Sequence, residues 1–115
     1  MFNKEKDILR EISGKLSADM RILKVIAYGS MVRGDYTADS DMDVLIVVDK
    51  KDREMKDKII DIFYSYELQT GISFSLVILS LEEFEFSRKT VFTENIKKEG
   101  MVFYDSQYRR EKIAV

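Results

Sequence analysis

The chain contains no histidine and no cysteine, and these two absences narrow its chemistry sharply. Without histidine there is no imidazole acid–base catalysis, no Ser-His-Asp triad, no phosphohistidine and no histidine-ligated zinc. Without cysteine there is no disulfide framework, no thiol nucleophile and no thiolate metal site. Any metal must therefore sit on oxygen ligands, which favours magnesium, manganese or calcium. Long apolar runs are lacking too. None approaches the roughly 20 residues that span a bilayer, and no basic-then-apolar leader opens the sequence. No membrane association is expected, and a cytoplasmic location is the default expectation. Nor is there an excess of one charge: 19 basic residues stand against 21 acidic ones, a net charge of −2. That balance gives no general drive toward nucleic acid, so no direct nucleic-acid partner is expected.

What remains is an ordinary globular composition, 45% hydrophobic and 35% charged over 115 residues. Such a chain is long enough to bury a core and short of the size at which chains divide, so residues 1–115 read as one domain. Residues 4–17 place Ile8, Leu9, Ile12 and Leu16 at helical spacing, with Asn3 as a candidate cap and Gly14 as a weak point. Arg21 to Tyr28 is too continuously apolar to be a half-exposed strand. Gly29-Ser30 turns the chain into a short helix or tight loop over Met31 to Arg33, followed by a polar connection from Gly34 to Ser40.

Asp43 to Val48 is a second strand, rich enough in β-branched residues to be central. A charged stretch from Asp49 leads into an amphipathic helix carrying Met55, Ile59, Ile62, Phe63 and Tyr66, which Gly71 stops. Ile72 to Leu79 is a third strand. Ser80 and Glu83 then form a capping-box pattern. Residues 81–99 look helical but broken, Gly100 ends them, and Met101 to Tyr104 is a short last strand before a charged tail from Gln107 that is expected to fray. The alternation predicts an α/β fold: a small mixed sheet flanked by helices.

The stretch from Gly29 to Asp49, GSMVRGDYTADSDMDVLIVVD, organises the rest. An apolar strand runs into a small-residue turn whose backbone can approach a ligand closely. Ten residues after Ser30 come Asp41 and Asp43, which as i and i+2 of a strand share a face. Two like charges held so close are kept mainly where a cation neutralises them. The stretch therefore reads as a metal site facing a phosphate site.

These motifs carry a resemblance. Gly29-Ser30, then Arg33-Gly34, then Ser40-Asp41-Met42-Asp43 is similar to the signature of minimal nucleotidyltransferases of the DNA polymerase beta superfamily. The likeness extends from Ile22 to about Leu79, with a weaker echo in residues 96–105. It implies the palm-like fold of that superfamily and transfer of a nucleotidyl group from ATP or another nucleoside triphosphate to a hydroxyl, expelling pyrophosphate. It implies that Gly29 and Ser30 hold the triphosphate, and that Asp41 and Asp43 are the catalytic pair, ligating Mg2+ (or Mn2+). Ser40 more simply caps its loop than touches substrate. Arg33 either contacts phosphate or braces the loop through Asp35 or Asp39; both remain open.

One departure stands out. The family's third carboxylate belongs on the strand after the long helix, and ISFSLVIL contains no acid. The matching position is Ser73 or Ser75, with Ser75 favoured by the Leu76-Val77 that follows. Glu67, Glu82 or a partner's carboxylate are the candidate substitutes, and a catalytically impaired nucleotide-binding protein of the same fold is the alternative. Nucleotidyltransferases of this size also resemble the antitoxin half of pairs whose other half is an all-helical HEPN nuclease, which implies a helical partner protein carrying the acceptor. Two bland readings complete the set. The run ending at Asp49 has some likeness to a phosphoacceptor strand, though Tyr28 is followed by Gly-Ser rather than an acidic pair. Phe63-Tyr64-Tyr66 is expected to be core plus helix surface, and Phe84, Phe86 and Phe92 are expected to pack inward rather than form an exposed edge.

Overall fold

A computed structural model describes residues 3–37, 40–86 and 91–107. Its elements run α1 (Asn3–Leu16), β1 (Ile22–Tyr28), α2 (Ser30–Arg33), β2 (Met42–Val48), α3 (Arg53–Thr70), β3 (Phe74–Ser80), α4 (Leu81–Phe86), α5 (Val91–Glu99) and β4 (Met101–Asp105). Four strands form one sheet in the order β3-β2-β1-β4. β1 is antiparallel to β2 and to β4, while β2 and β3 are parallel. The sheet is thus mixed, as the alternation of elements predicted. A β2–β3 pair that is parallel needs a crossover, and α3 supplies it. The antiparallel β1–β2 pairing also removes the phosphoacceptor reading of Asp49, which requires an all-parallel doubly wound sheet.

Local chemistry explains the boundaries. Asp52 caps α3, its side chain accepting from the Met55 amide at 2.8 Å, and Gly71 ends the helix in the left-handed conformation with its N–H on the Glu67 carbonyl. Ser80 and Glu83 satisfy each other's backbone amides, at 3.1 and 3.0 Å, as a reciprocal capping box. α1 continues through Gly14, because nothing packs against that position and its neighbours Ile12, Ser13 and Leu16 are buried. Asn3 is itself the first helical residue described rather than a residue outside the helix. Asp39, the middle of the expected break at residues 87–90, and the tail from Tyr108 lie outside the described residues.

The period-two alternation of the strands divides the core. Val25, Ala27, Met42, Val44, Ile46 and Val48 face α1 and α3, against Leu9, Ile12, Leu16, Met55, Ile59 and Phe63. Ile26, Leu45 and Val47 face the other way, against Ile96 of α5 and Phe84 of α4. Tyr28, Asp43 and Ser75 have this second parity. The more thinly covered face is therefore the one that carries the carboxylate. Leu45, fully buried at the centre of β2, is the residue whose truncation should cost most here. Leu45→Ala is expected to lower the unfolding free energy by about 2–5 kcal/mol in a denaturant titration; a loss below about 1 kcal/mol would contradict the packing of this face.

The aromatic expectations split. Phe63 is buried and meets Phe74 edge-on at 5.0 Å, Tyr66 is buried with its hydroxyl on Glu11, and Tyr64 is exposed. Inward packing fails for two of the three phenylalanines: Phe86 is 93% exposed and Phe92 38% exposed. Both helices are short: α4 buries no residue fully and packs only Phe84 partly against the sheet, while α5 buries Thr93 and Ile96.

Candidate active site

β1 delivers the chain to Gly29, whose backbone at φ 82°, ψ −159° lies where only glycine is at ease. The reason is visible next door: a Cβ built on Gly29 would collide with Asp43 Oδ2. The turn can therefore lie against the carboxylate only because residue 29 has no side chain. Gly29 also starts α2, its carbonyl accepting from Val32 and Arg33 at 3.2 and 3.1 Å. Among the described residues no side chain caps α2, and the first amides of a helix have no partner within it.

Asp43 pairs in register with Tyr28 on one side and Ser75 on the other. Burial pushes its carboxyl above the ordinary value and the Asp41 charge adds to that, while Arg33 and a hydrogen bond from Ser75 pull it back in part. The Asp41 charge thus bears on Asp43, though Asp41 stands one residue before β2 rather than on the strand. Tyr28 is likewise pushed up, by burial and then by Asp43.

A cleft of about 310 Å³ collects Gly29, Ser30, Arg33 and Asp43, together with Tyr28 and three residues of α5. Asp41 and Ser40 line a neighbouring cleft of about 380 Å³ with Met31, Ser73 and Glu5. The predicted residues therefore divide between two clefts, Asp43 lining the first and Asp41 the second. Ser40 does cap its loop: its Oγ accepts from the Thr37 amide at 2.9 Å. Ser75 sits directly across from Asp43 and its hydroxyl hydrogen-bonds that carboxylate.

Arg33 lines the cleft and also braces it. Its guanidinium pairs with Asp35 at 3.3 Å, as one reading expected, and with Glu99 of α5 at 3.1 Å, which no spacing in the sequence could reveal. Both pairs are exposed and contribute little to stability. Arg33→Ala is therefore expected to leave the melting temperature nearly unchanged. If the guanidinium meets phosphate, calorimetry should show triphosphate affinity falling by ~1–3 kcal/mol. Unchanged affinity at unchanged stability would remove it from the site.

The two proposed substitutes for the third acid are placed elsewhere. Glu67 accepts from the Phe74 amide at 2.7 Å and secures the start of β3. Glu82 lies beside Asp49 and Ser80, at the opposite end of β2 and β3 from Asp43. Among the described residues no group of three acids is close enough to hold a metal ion. The oxygen donors at hand are Asp41, Asp43 and the Ser75 hydroxyl. That set fits magnesium, which is commonly held by one or two carboxylates plus substrate phosphates and keeps several waters.

A glycine turn packed on a carboxylate, a second acid beside it and an arginine on the same cleft suit a polyanionic substrate carried with a cation. The comparison with known proteins agrees: the nucleotidyltransferase-domain family matches residues 6–104, and the chain belongs to that family of enzymes. Two Methanocaldococcus jannaschii proteins, each named "Putative protein adenylyltransferase", are 36% and 33% identical to it over 103 and 98 residues. The alignments cover 89% and 83% of this chain and 99% and 94% of theirs. A Sulfolobus solfataricus structure, described as a "putative nucleotidyltransferase", superposes with a TM-score of 0.55 at 19% identity over 88% of this chain and 80% of its own. A toxin–antitoxin structure with AMP-PNP superposes with a TM-score of 0.56 at 18% identity, over 98% and 82%. At those identities the two structures establish the shared fold. Among the described residues no helix is long and apolar enough to cross a membrane.

Proposed function

We propose that the chain, acting as one domain, transfers an adenylyl group from ATP to a hydroxyl on a partner protein, with magnesium as the metal. The observation that carries the reading is the contact between the Gly29 turn and Asp43, which sets amide donors and a carboxylate on one cleft with Arg33. Ser30, the first amides of α2 and Arg33 bind the triphosphate. Asp41 and Asp43 are the ligands for the metal. Bound there, magnesium would offset the phosphate charge and lower the pKa of the acceptor hydroxyl. The acceptor oxygen forms its bond to the α-phosphorus as the bond to the bridging oxygen breaks, releasing pyrophosphate and the hydroxyl proton. The protein's own share is positioning and charge complementarity.

Three features support a protein acceptor. The chain has no basic excess for nucleic acid, its relatives are named as protein adenylyltransferases, and a fold neighbour is half of a toxin–antitoxin pair. A helical HEPN-type toxin encoded beside this chain is the proposed partner, with the cytoplasm as the setting. Among the described residues no group of three acids is close enough to hold a metal ion, which favours a second reading: a nucleotide-binding antitoxin whose transfer activity is weak or lost.

Alpha-labelled ATP, magnesium and the adjacent helical protein provide the test. Label is expected on that protein and not when magnesium is chelated. Nucleotide binding without labelling would select the second reading, and absence of both would sink the site assignment. Ser75→Asp adds an oxygen anion where Ser75 now touches Asp43. It is expected to tighten manganese and magnesium binding in calorimetry and to raise the rate of labelling. Unchanged metal affinity would show that β3 is not part of the metal site.

A further inference from the structure

The cleft that Asp43 lines is also lined by one face of α5, where its character changes. Phe92, Asn95 and Glu99 follow one another at spacings of three and four, so they share one face of the helix, and all three line the cleft. That face is surplus to the core, because α5 buries Thr93 and Ile96 instead. The Phe92 ring is 38% exposed and meets Tyr28 at right angles with centroids 5.4 Å apart, a contact that steadies the ring without covering both of its faces. Asn95 is exposed and, among the described residues, its side chain makes no hydrogen bond. The Arg33–Glu99 ion pair at 3.1 Å lines the same cleft.

Triphosphate held by Gly29, Ser30 and Arg33 would leave Phe92 and Asn95, on the same cleft, to meet its base. A base needs a flat apolar surface and an edge-reading polar group, and these are what the α5 face adds. A carboxamide offers an acceptor and a donor side by side, which match the amino group and N7 of adenine, whereas guanine presents two acceptors along the same edge. We infer that this face of α5 is the base subsite of the nucleotide site, with Phe92 stacking on the purine and Asn95 reading the N6/N7 edge of adenine. Residue 95 then decides which nucleoside triphosphate is used. This inference rests on the nucleotidyltransferase reading above and extends it from the phosphates to the base.

Titration calorimetry with four magnesium-loaded probes separates the two: ATP, GTP, 7-deaza-ATP and inorganic tripolyphosphate. Wild type is expected to bind ATP about tenfold more tightly than GTP or 7-deaza-ATP, the scale of one well-placed hydrogen bond. Asn95→Ala should erase both preferences and leave tripolyphosphate affinity unchanged. Phe92→Ala should weaken ATP and GTP alike by about tenfold, the scale of one base–aromatic stack, again sparing tripolyphosphate. Both side chains are exposed, so melting temperatures close to wild type will show that the variants are folded. The inference is overturned if 7-deaza-ATP binds wild type as well as ATP does, or if Asn95→Ala keeps the preference. Binding of tripolyphosphate in either case leaves the phosphate site standing. Failure of all four probes to bind wild type would overturn the nucleotide reading itself.

Discussion

Replacing both aspartates, Asp41→Asn with Asp43→Asn, is expected to abolish magnesium-dependent nucleotide binding while the protein stays folded. Asp41 lines one cleft and Asp43 the other, and among the described residues no group of three acids is close enough to hold a metal ion. Without a spare ligand, removing the pair removes several kcal/mol of charge stabilisation, about a hundredfold or more in affinity or rate. Stability should move the other way. Burial and the neighbouring Asp41 charge raise the Asp43 pKa, so its protonated form is favoured in the folded state relative to the unfolded chain. A carboxyl raised by folding supports stability fully below its unfolded pKa, and that support is lost as pH rises through the folded value. At pH 7 the charged form is thus a burden that asparagine does not carry. Asp43→Asn alone should therefore melt higher than wild type at pH 7, with the gain disappearing as pH falls below the Asp43 pKa. Melting curves across pH, paired with calorimetry, check both halves. Nucleotide binding equal to wild type in the double variant would sink the site.

Gly29→Ala is expected to damage both stability and nucleotide binding. Two independent effects combine at this position. The backbone conformation, φ 82° and ψ −159°, is strained for any residue with a Cβ by about 1–3 kcal/mol. The added carbon would also collide with Asp43 Oδ2, so either the turn or the carboxylate must move. Displacement by about 1 Å can cost about a hundredfold in a positioned reaction. We expect a lower melting temperature, nucleotide affinity reduced at least tenfold and labelling of the partner lost. Gly34→Ala is the control: Gly34 also has a positive φ, 89°, but nothing lies within reach of its Cβ. It should lower stability without the same loss of affinity. Wild-type affinity in Gly29→Ala would show that the turn does not position Asp43.

How much of this was legible in advance depends on the range of the interaction. Helix ends were readable because their causes are local: Asp52 caps an amide three residues away, Gly71 takes the left-handed conformation, and Ser80 and Glu83 complete each other. β2 was readable as central because its side chains are apolar on both faces, and it is buried at every position except Asp43. Phe86 and Phe92 were misread because apolar character does not reveal whether a short helix has core left to fill.

The sequence by itself determined the order of elements, the Gly-Ser turn, the paired aspartates and the missing acid on β3, since each is a property of spacing along one strand or turn. Only the tertiary structure decided which groups meet across it. Strand order and register put Ser75 opposite Asp43 and sent Glu67 and Glu82 to other work. The return of the chain through α5 brought Glu99 to Arg33, 66 residues away, and Phe92 to Tyr28. The physical reason is that a side chain's direction follows from local periodicity, whereas its partner follows from how sheet faces are covered. That covering is a property of the whole core and is written in no single segment.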